Sequence, residues 1–557
     1  MKRTIADVVI AGAGPCGLML ALELGTRDIK TLVLDREAGV ATAPQANATQ
    51  AHSMEHYRRH GFAHEIRKLG MPGDHPTDLA YFTTYAGHEL ARHQMPCADD
   101  ADRIVREQAH VWNAAELPHR VPQCLVEQTL LRKVRACDSV EVLFETEVTG
   151  FVEDDDGVVV DARHLGSGET HIARGTYLFA ADGAQSAIRK QLGIRYGGAD
   201  ATHRDFMGGR MLSIYLDAPA FYTELGIPRA WMYWTFNGRR RALLATVDGK
   251  GSFVLQTQLR DGEDADRMTE AEAGALFLQA VGREIPHKVT GIASWLARRA
   301  LVADRFGEGR VLLGGDAVHL FTPTGGMGYN TAIEDAVNIG WKLAAVIKGQ
   351  AAPALLDSYA AERRPVALRN TRFALKFADS VGLYVPSPAI EDEGAAGEAA
   401  RARAGAYLER HAQHEFTIPG FTLGARYDAS PAICHDLTPV PPDDPSAYVP
   451  SGKPGGRAPH AWLGTGASLF DAFGFDWTLL VFAAEAGSAP FIAAAAEARG
   501  LSLKVLDLSG EAVARDLYDA PAALIRPDQV VGWRGDCTSR EEAQAIFDVL
   551  LGGAAGA

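Results

Sequence analysis

Three glycines, Gly12, Gly14 and Gly17, interrupt two apolar runs in ADVVIAGAGPCGLMLALELG, and KTLVLDRE follows close behind. That pattern predicts a strand over Asp7–Ala11, a turn, a helix opened by Pro15 and stopped by Gly25, and a second strand ending at Asp35. In such a βαβ unit each glycine has its own task. One makes a tight turn, one lets a pyrophosphate approach bare backbone, and one allows close helix-to-strand contact. The anion would rest on the helix N-terminus, beside Pro15 and Cys16, where free N–H groups and the helix dipole favour negative charge. Asp35 falls 18 residues after Gly17, placed to accept hydrogen bonds from a ribose, with Arg36 next to it. The chain thus reads as α/β, opening on a Rossmann-type dinucleotide site.

At 557 residues it exceeds what one core serves, so two to four domains are expected. Several β-rich runs between Asp205 and Gln258, such as GGRMLSIYLDA and RALLATVDG, predict a mostly antiparallel sheet inserted between nucleotide-domain segments. The expected division gives residues 1–78, 104–192 and 296–380 to a discontinuous nucleotide domain. Residues 79–103 and 193–295 form the inserted substrate domain, 381–456 a helical segment and Pro/Asp-rich linker, and 457–557 a third domain of βαβ-then-β pattern.

A formal charge of −15 argues against a nucleic-acid partner, which clustered Lys and Arg would meet. The six cysteines show no CxxC spacing, so neither a metal ribbon nor a redox pair is expected, and scattered thiols fit a reducing cytoplasm. The start, MKRTIADVVIAGAG, passes straight into the strand with no secretory signal. The apolar stretch Val8–Leu24 holds glycines, a proline and a glutamate, and falls short of the roughly 20 apolar residues a membrane span needs.

A second glycine cluster, GGDAVHLFTPTGGMGYN, places Asp316 after two glycines and a helix after three more, with Thr331 and Glu334 spaced as a capping box. So much glycine implies a bulky ligand against the backbone. Together GAGPCG with Asp35, DGAQSAIR (Asp182, Gly183, Ser186, Arg189) and Gly315, Asp316, His319, Pro323, Gly326, Gly328 and Asn330 resemble the three fingerprints of the class A flavoprotein aromatic hydroxylases. SYAAERRP and LIRPDQVVGWR are similar to further features of that family, and the third domain looks like the thioredoxin-like appendix of its phenol and polyketide hydroxylase branch. The resemblance implies a GR2-type FAD-binding domain, an inserted β-sheet substrate domain and a C-terminal thioredoxin-like domain. Without CxxC, that last domain would serve structure or a homodimer.

From the resemblance, Asp316 would bind the ribityl hydroxyls of FAD, and Pro323, Gly326, Met327, Gly328 and Asn330 would lie beside its ring. Gln45 and Gln123 would also contact FAD. Asp182, Gly183 and Arg189 would serve the diphosphate and a transient NADPH or NADH, since no second GxGxxG follows a strand. The implied reaction is hydroxylation of a phenolic or polycyclic aromatic compound by O2 through a flavin C4a-hydroperoxide. The alternatives are Baeyer–Villiger oxygen insertion or, in another class, a non-catalytic carrier of the same fold. In PQANATQAHSME this chain has Asn47 where relatives carry a base. An amide cannot remove a phenol proton, so His52 is the nearest titratable substitute, and Tyr233, paired with Trp231 by strand alternation, is a further pocket candidate. His319 reads as a structural turn histidine.

Overall fold

The computed structural model describes residues 2–42, 46–200, 206–297, 299–483 and 487–553. Its central sheet has six strands in the order Gly307–Glu308, Val311–Leu313, Tyr177–Ala180, Val8–Ala11, Thr31–Leu34 and Val140–Leu143, parallel except for the first. These short strands are apolar throughout at their centre, as strands buried on both faces must be. Ala11 pairs with Leu34, Ala180 with Ala11 and Leu313 with Ala180, so four neighbouring strands end flush at their carboxyl ends. The helices Pro15–Gly25 and Gly328–Ile347 pack together on this sheet, Gly340 letting the Glu23 side chain approach closely.

The inserted sheet has seven strands in the order Lys288–Leu296, Arg210–Asp217, Ser252–Gln258, Ala242–Thr246, Met232–Thr235, Leu79–Phe82 and Glu89–His93. It is antiparallel apart from the pairing of Met232–Thr235 with Leu79–Phe82, in line with the mostly antiparallel expectation. Strand alternation divides its side chains. Leu212, Ile214, Leu244 and Tyr233 enter a core closed by the helix Glu270–Val281, whereas Met211, Leu243, Trp234 and Tyr81 face the opposite way.

The C-terminal sheet has the order Leu503–Asp507, Trp477–Val481, Ala522–Ile525 and Val531–Gly535, with the first pair parallel and the others antiparallel. With helices Ser488–Glu497, Ala512–Tyr518 and Arg540–Leu550 interleaved, this is the thioredoxin arrangement. It docks on the Trp341 face of Gly328–Ile347, where Trp341 meets Trp477 edge to face at 5.7 Å between centroids. No helix among the described residues is long and apolar enough to cross a membrane.

The start of Gly328–Ile347 differs from expectation. Thr331 and Glu334 lie inside the helix: the Thr331 hydroxyl accepts from Asn370, and Glu334 pairs with Arg363. Gly325 and Gly326, at φ +66° and +64°, turn the chain sharply enough to start the helix at Gly328 with no side-chain cap.

Candidate active site

Four motifs sit on the four flush strand ends. Val311–Leu313 runs into Asp316, Tyr177–Ala180 into Asp182, Val8–Ala11 into Gly12–Gly14, and Thr31–Leu34 into Asp35. Three strand spacings put about 14 Å between the outer two. In an open α/β sheet this edge is where ligands bind.

The glycines divide their work as their spacing predicts. A Cβ on Gly12 would strike the Ala181 carbonyl oxygen, and one on Gly17 would strike the Gly12 carbonyl oxygen. Gly14, Gly183 and Gly328 have no protein atom within 4 Å of such a Cβ, so bare backbone faces open space at all three fingerprints. Pro15 is the first helical residue, and buried Cys16 packs against Gly315, fastening the first fingerprint to the third. Burial pushes the Cys16 thiol well above its usual pKa.

Asp35 accepts from the Ala13 amide at 2.5 Å and the Glu37 amide at 2.8 Å, which fixes its carboxylate at the mouth of the glycine turn. Arg36 points into solvent toward Glu37 and Glu147. Asp316 is open to solvent yet crowded by protein on its other sides, the condition of a groove wall, and the resulting desolvation raises its carboxyl pKa. Burial also raises the Asp182 carboxyl. Its Oδ2 accepts from the Ala187 amide at 2.9 Å, while Oδ1 has no partner among the described residues. Gln123 gives its side-chain N–H to Glu127 at 2.7 Å.

Three cofactor candidates have their side chains engaged within the protein. Arg189 is buried with its guanidinium on the Ala184 and Ala317 carbonyls (3.2 and 3.3 Å) and over the Tyr196 ring, so it clips the second fingerprint to the third. Asn330 is closed to solvent: its amide accepts from Gln50 N–H at 2.8 Å and donates to the Ala48 carbonyl at 2.8 Å and to Gly326, clamping the Ala48–Gln50 segment onto the glycine loop. The Met327 side chain lies in an apolar cluster with Phe373, Phe377 and Phe421. Pro323 is exposed at the outer edge of the loop. Gln45 lies outside the described residues.

The catalytic candidates separate. Asn47 lines a narrow cavity of about 40 Å³ with Arg120, Trp231, Thr246 and Gln256, between the clamped segment and the inserted sheet. His52 does not line it. The chain enters the helix Ala51–Arg59 just after Asn47, and the His52 ring turns inward against His56 (4.4 Å between centroids) and Glu334 (Nδ1 to Oε1, 3.5 Å). Tyr233 faces the far core, accepting from the Ala230 amide at 2.6 Å, and burial raises its hydroxyl far above the usual pKa. Alternation would put Trp231 on the Tyr233 face. The amides of Trp231 and Met232 both point at the Asp78 carbonyl (2.9 and 3.2 Å), and this shared acceptor breaks the alternation and swings Trp231 to the cavity side. His319 is structural, its Nε2 2.7 Å from Asp335.

Residues that no sequence pattern marks complete the site. Asp335 also accepts from the Gly315 amide (3.1 Å) and Arg363 Nε (2.8 Å), fixing the turn that carries Asp316. Gln50 donates to the Gly325 carbonyl at 2.7 Å, and the Gly325 amide donates to Glu415 at 3.3 Å. Arg120, one residue from VPQ, stands over Trp231 at 4.3 Å.

The three open backbone patches, the unpartnered Asp182 oxygen and the carboxylates at both ends of a long strand-edge groove fit FAD, an extended dinucleotide with hydroxyls near each end. Comparisons agree. The family described as FAD binding domain matches residues 5–374, and the aromatic-ring hydroxylase C-terminal family matches residues 451–554. The FAD-dependent monooxygenase apdD of Emericella nidulans is 31% identical over 97% of this chain and 89% of its own length. Aklavinone 12-hydroxylase DnrF of Streptomyces peucetius is 32% identical over 88% of this chain and 94% of its own. The structure of the rebeccamycin biosynthetic enzyme RebC with reduced flavin is 33% identical, covers 99% of this chain and 100% of that one, and superimposes with a TM-score of 0.87. Fold, strand-end groove and these likenesses together place the chain in the aromatic-ring hydroxylase family of FAD-dependent monooxygenases.

Proposed function

We propose that this chain hydroxylates an aromatic ring, phenolic or polycyclic, at the expense of NAD(P)H and O2. One observation carries the proposal: the cavity holding Asn47 is built onto the glycine loop of the third fingerprint. Asn330 ties Ala48 to Gly326, and the Val121 amide bonds the Asn47 carbonyl at 3.2 Å, so one short segment joins the cavity to the loop, and a substrate ring would enter by widening this narrow cavity. The chemistry supplied by FAD when bound is hydride acceptance from NAD(P)H and, with O2, delivery of one oxygen atom to that ring.

The protein's own residues bind, orient and exclude water. Asp35 would hold the adenosine ribose, the helix Pro15–Gly25 the pyrophosphate at its N-terminus, and Asp316 the ribityl hydroxyls. The start of Gly328–Ile347 directs its positive end at the loop, where it would favour negative charge on the ring of bound FAD. Met71, Trp231 and Val254 give the cavity an apolar wall beside its polar residues Asn47, Thr246 and Gln256. Asn47 orients a substrate hydroxyl without removing its proton.

Incubating the purified holoenzyme with NADPH, ¹⁸O2 and a panel of phenols, hydroxynaphthalenes and aromatic polyketides tests the proposal. Substrate-stimulated NADPH oxidation and a product carrying one ¹⁸O on the ring are expected; oxygen taken from water, or no ring oxidation across the panel, refutes it.

A further inference from the structure

The helix Ala395–Phe416 carries three proton-bearing side chains one turn apart, Tyr407, His411 and Glu415, so that they share a face over about 12 Å. This row runs from the glycine loop toward the surface. The Gly325 amide donates to Glu415 Oε1 at 3.3 Å, while Gln50 Nε2 donates to the Gly325 carbonyl at 2.7 Å. Glu415 Oε2 lies 3.0 Å from His411 Nε2, and His411 Nδ1 lies 3.0 Å from the Ser380 hydroxyl on the neighbouring helix Asp357–Gly382. Ser380 is half-buried, and the Tyr407 hydroxyl, from a residue equally half-buried, donates to the Ser380 carbonyl at 2.8 Å.

Packing alone does not ask for this pair. His411 and Glu415 are each 4% exposed, and their helix neighbours Leu408 and Ala412 belong to an apolar cluster, where two more apolar side chains would avoid the cost of a buried charge. Among the described residues Glu415 has no cation within ion-pair distance except the imidazole. Its Oε2, the His411 Nε2 and the Tyr81 hydroxyl are buried, and none of them makes a hydrogen bond among the described residues. Tyr81, on the inserted sheet, and Arg120 are the ionisable groups that meet the pair from other elements. The Glu415 carboxylate adds to burial in pushing the Tyr81 hydroxyl up, and it opposes the burial that brings Arg120 down to about 10. At the outer end Tyr384 stacks on Tyr407 at 4.3 Å, and Arg241 donates to the Val381 and Tyr384 carbonyls.

The proposed hydroxylation consumes a proton. A ring C–H, O2, NAD(P)H and one H⁺ become a ring C–OH, NAD(P)⁺ and water. The hydride supplies two electrons, one oxygen atom enters the C–H bond, and the other takes up the proton and leaves as water. The polar lining of the Asn47 cavity offers no carboxyl or imidazole for that proton, and His52 and Tyr233 are turned away from it. We infer that His411 and Glu415 hold this proton at the glycine loop, and that the Ser380 and Tyr407 hydroxyls reload it from the surface. The inference rests on the proposed hydroxylation and gives it a proton carrier. Negative charge on the ring of bound FAD would strengthen the pair's hold on a proton, and the proton would offset that charge.

The midpoint potential of the holoenzyme flavin, measured without substrate against reference dyes from about pH 6 to about pH 9, tests the inference. The wild type is expected to take up about one proton more per two electrons than Glu415→Gln, which keeps an acceptor for the Gly325 amide, and than His411→Leu. Over part of that range its potential then changes by about 30 mV more per pH unit, the value of a tenfold change in a two-electron equilibrium. Equal pH slopes in the wild type and Glu415→Gln overturn the inference, as does a potential displaced by the same amount at every pH. Loss of FAD from Glu415→Gln overturns it too, by assigning the carboxylate to holding the loop. The surface end is tested apart from the buried pair, whether or not His411→Leu folds. Ser380→Ala with Tyr407→Phe should keep the wild-type potentials yet form product at least about tenfold more slowly, with added imidazole restoring the rate. An unchanged rate in that double variant overturns the route. If phenols are hydroxylated and the slopes are equal, this inference alone falls; if no aromatic is hydroxylated, the hydroxylation is refuted and the carrier role with it.

Discussion

Glu362 and Arg526, 164 residues apart, are joined by two hydrogen bonds of 2.7 and 2.9 Å in a site closed to solvent. Lys342 and Asn338 also donate to Glu362 at 2.6 Å, and Ser430 at 2.6 Å, so the helices Gly328–Ile347 and Asp357–Gly382 and the thioredoxin-like domain share one buried carboxylate. Burial would raise the Glu362 carboxyl, but Arg526 and Lys342 outweigh it and hold it far below the carboxylate range. Lys342 in turn is pushed down to about 8 by burial, against the pull of Glu362.

Glu362→Gln therefore leaves buried Lys342 without its ion-pair partner and takes one of two carboxylates from Arg526, which keeps Asp528. Urea unfolding should show a loss of about 3–5 kcal/mol. A loss below about 1 kcal/mol would show that this carboxylate does not hold the C-terminal domain in place.

The glycines of the first fingerprint make opposite predictions. Gly14 has φ −74° and open space where a Cβ would go, so Gly14→Val should leave apoprotein stability within about 1 kcal/mol while weakening FAD binding at least about tenfold. Gly17→Ala, whose Cβ meets the Gly12 carbonyl, should unfold or strongly destabilise the protein with or without FAD. Thermal melts of both apoproteins distinguish them.

These contrasts show what was legible in the sequence. Local spacing carried the strand-end acids Asp35, Asp182 and Asp316, because a strand, a glycine turn and a helix are written within about twenty residues. Pairing across the chain was not written there. SYAAERRP and LIRPDQVVGWR were visible as motifs, but nothing local says that Glu362 of one meets Arg526 of the other. The cavity was misread for a physical reason: one shared acceptor at Asp78 shifts Trp231 out of register, and a period-2 rule cannot anticipate it. Arg120 left no pattern, since a lone arginine beside VPQ looks like a surface residue until the fold buries it.

His52 and Tyr233, turned away from the cavity, should not act as bases. In His52→Gln and Tyr233→Phe the pH profile of product formation per NAD(P)H should match the wild type. Tyr233→Phe should lose about 1 kcal/mol of stability with its bonds to Ala230 and Pro228. A displaced pH profile in either variant would restore that residue as a base.

His119, paired through its backbone with Thr49 beside the cavity, is held neutral. Burial first, and then Arg67, bring it down to about 3. Between that value and the ordinary pKa of about 6.5 the unfolded chain binds a proton that the folded chain does not, so stability falls as the pH falls through this window. Between pH 7 and pH 5 this residue alone should remove about 2 kcal/mol. His119→Gln should flatten the dependence by that amount in urea unfolding at the two pH values, and an unchanged slope would show that His119 is protonated in the fold.

The strand-end groove is tested most directly by titrating FAD into apoprotein, with flavin fluorescence as the readout, for the wild type and Asp316→Ala. One FAD per chain is predicted, bound at least about tenfold more weakly by the variant, as loss of charged hydrogen bonds to the ribityl hydroxyls requires. No binding by the wild type, or equal affinity of the two proteins, would contradict the assignment of that groove to FAD.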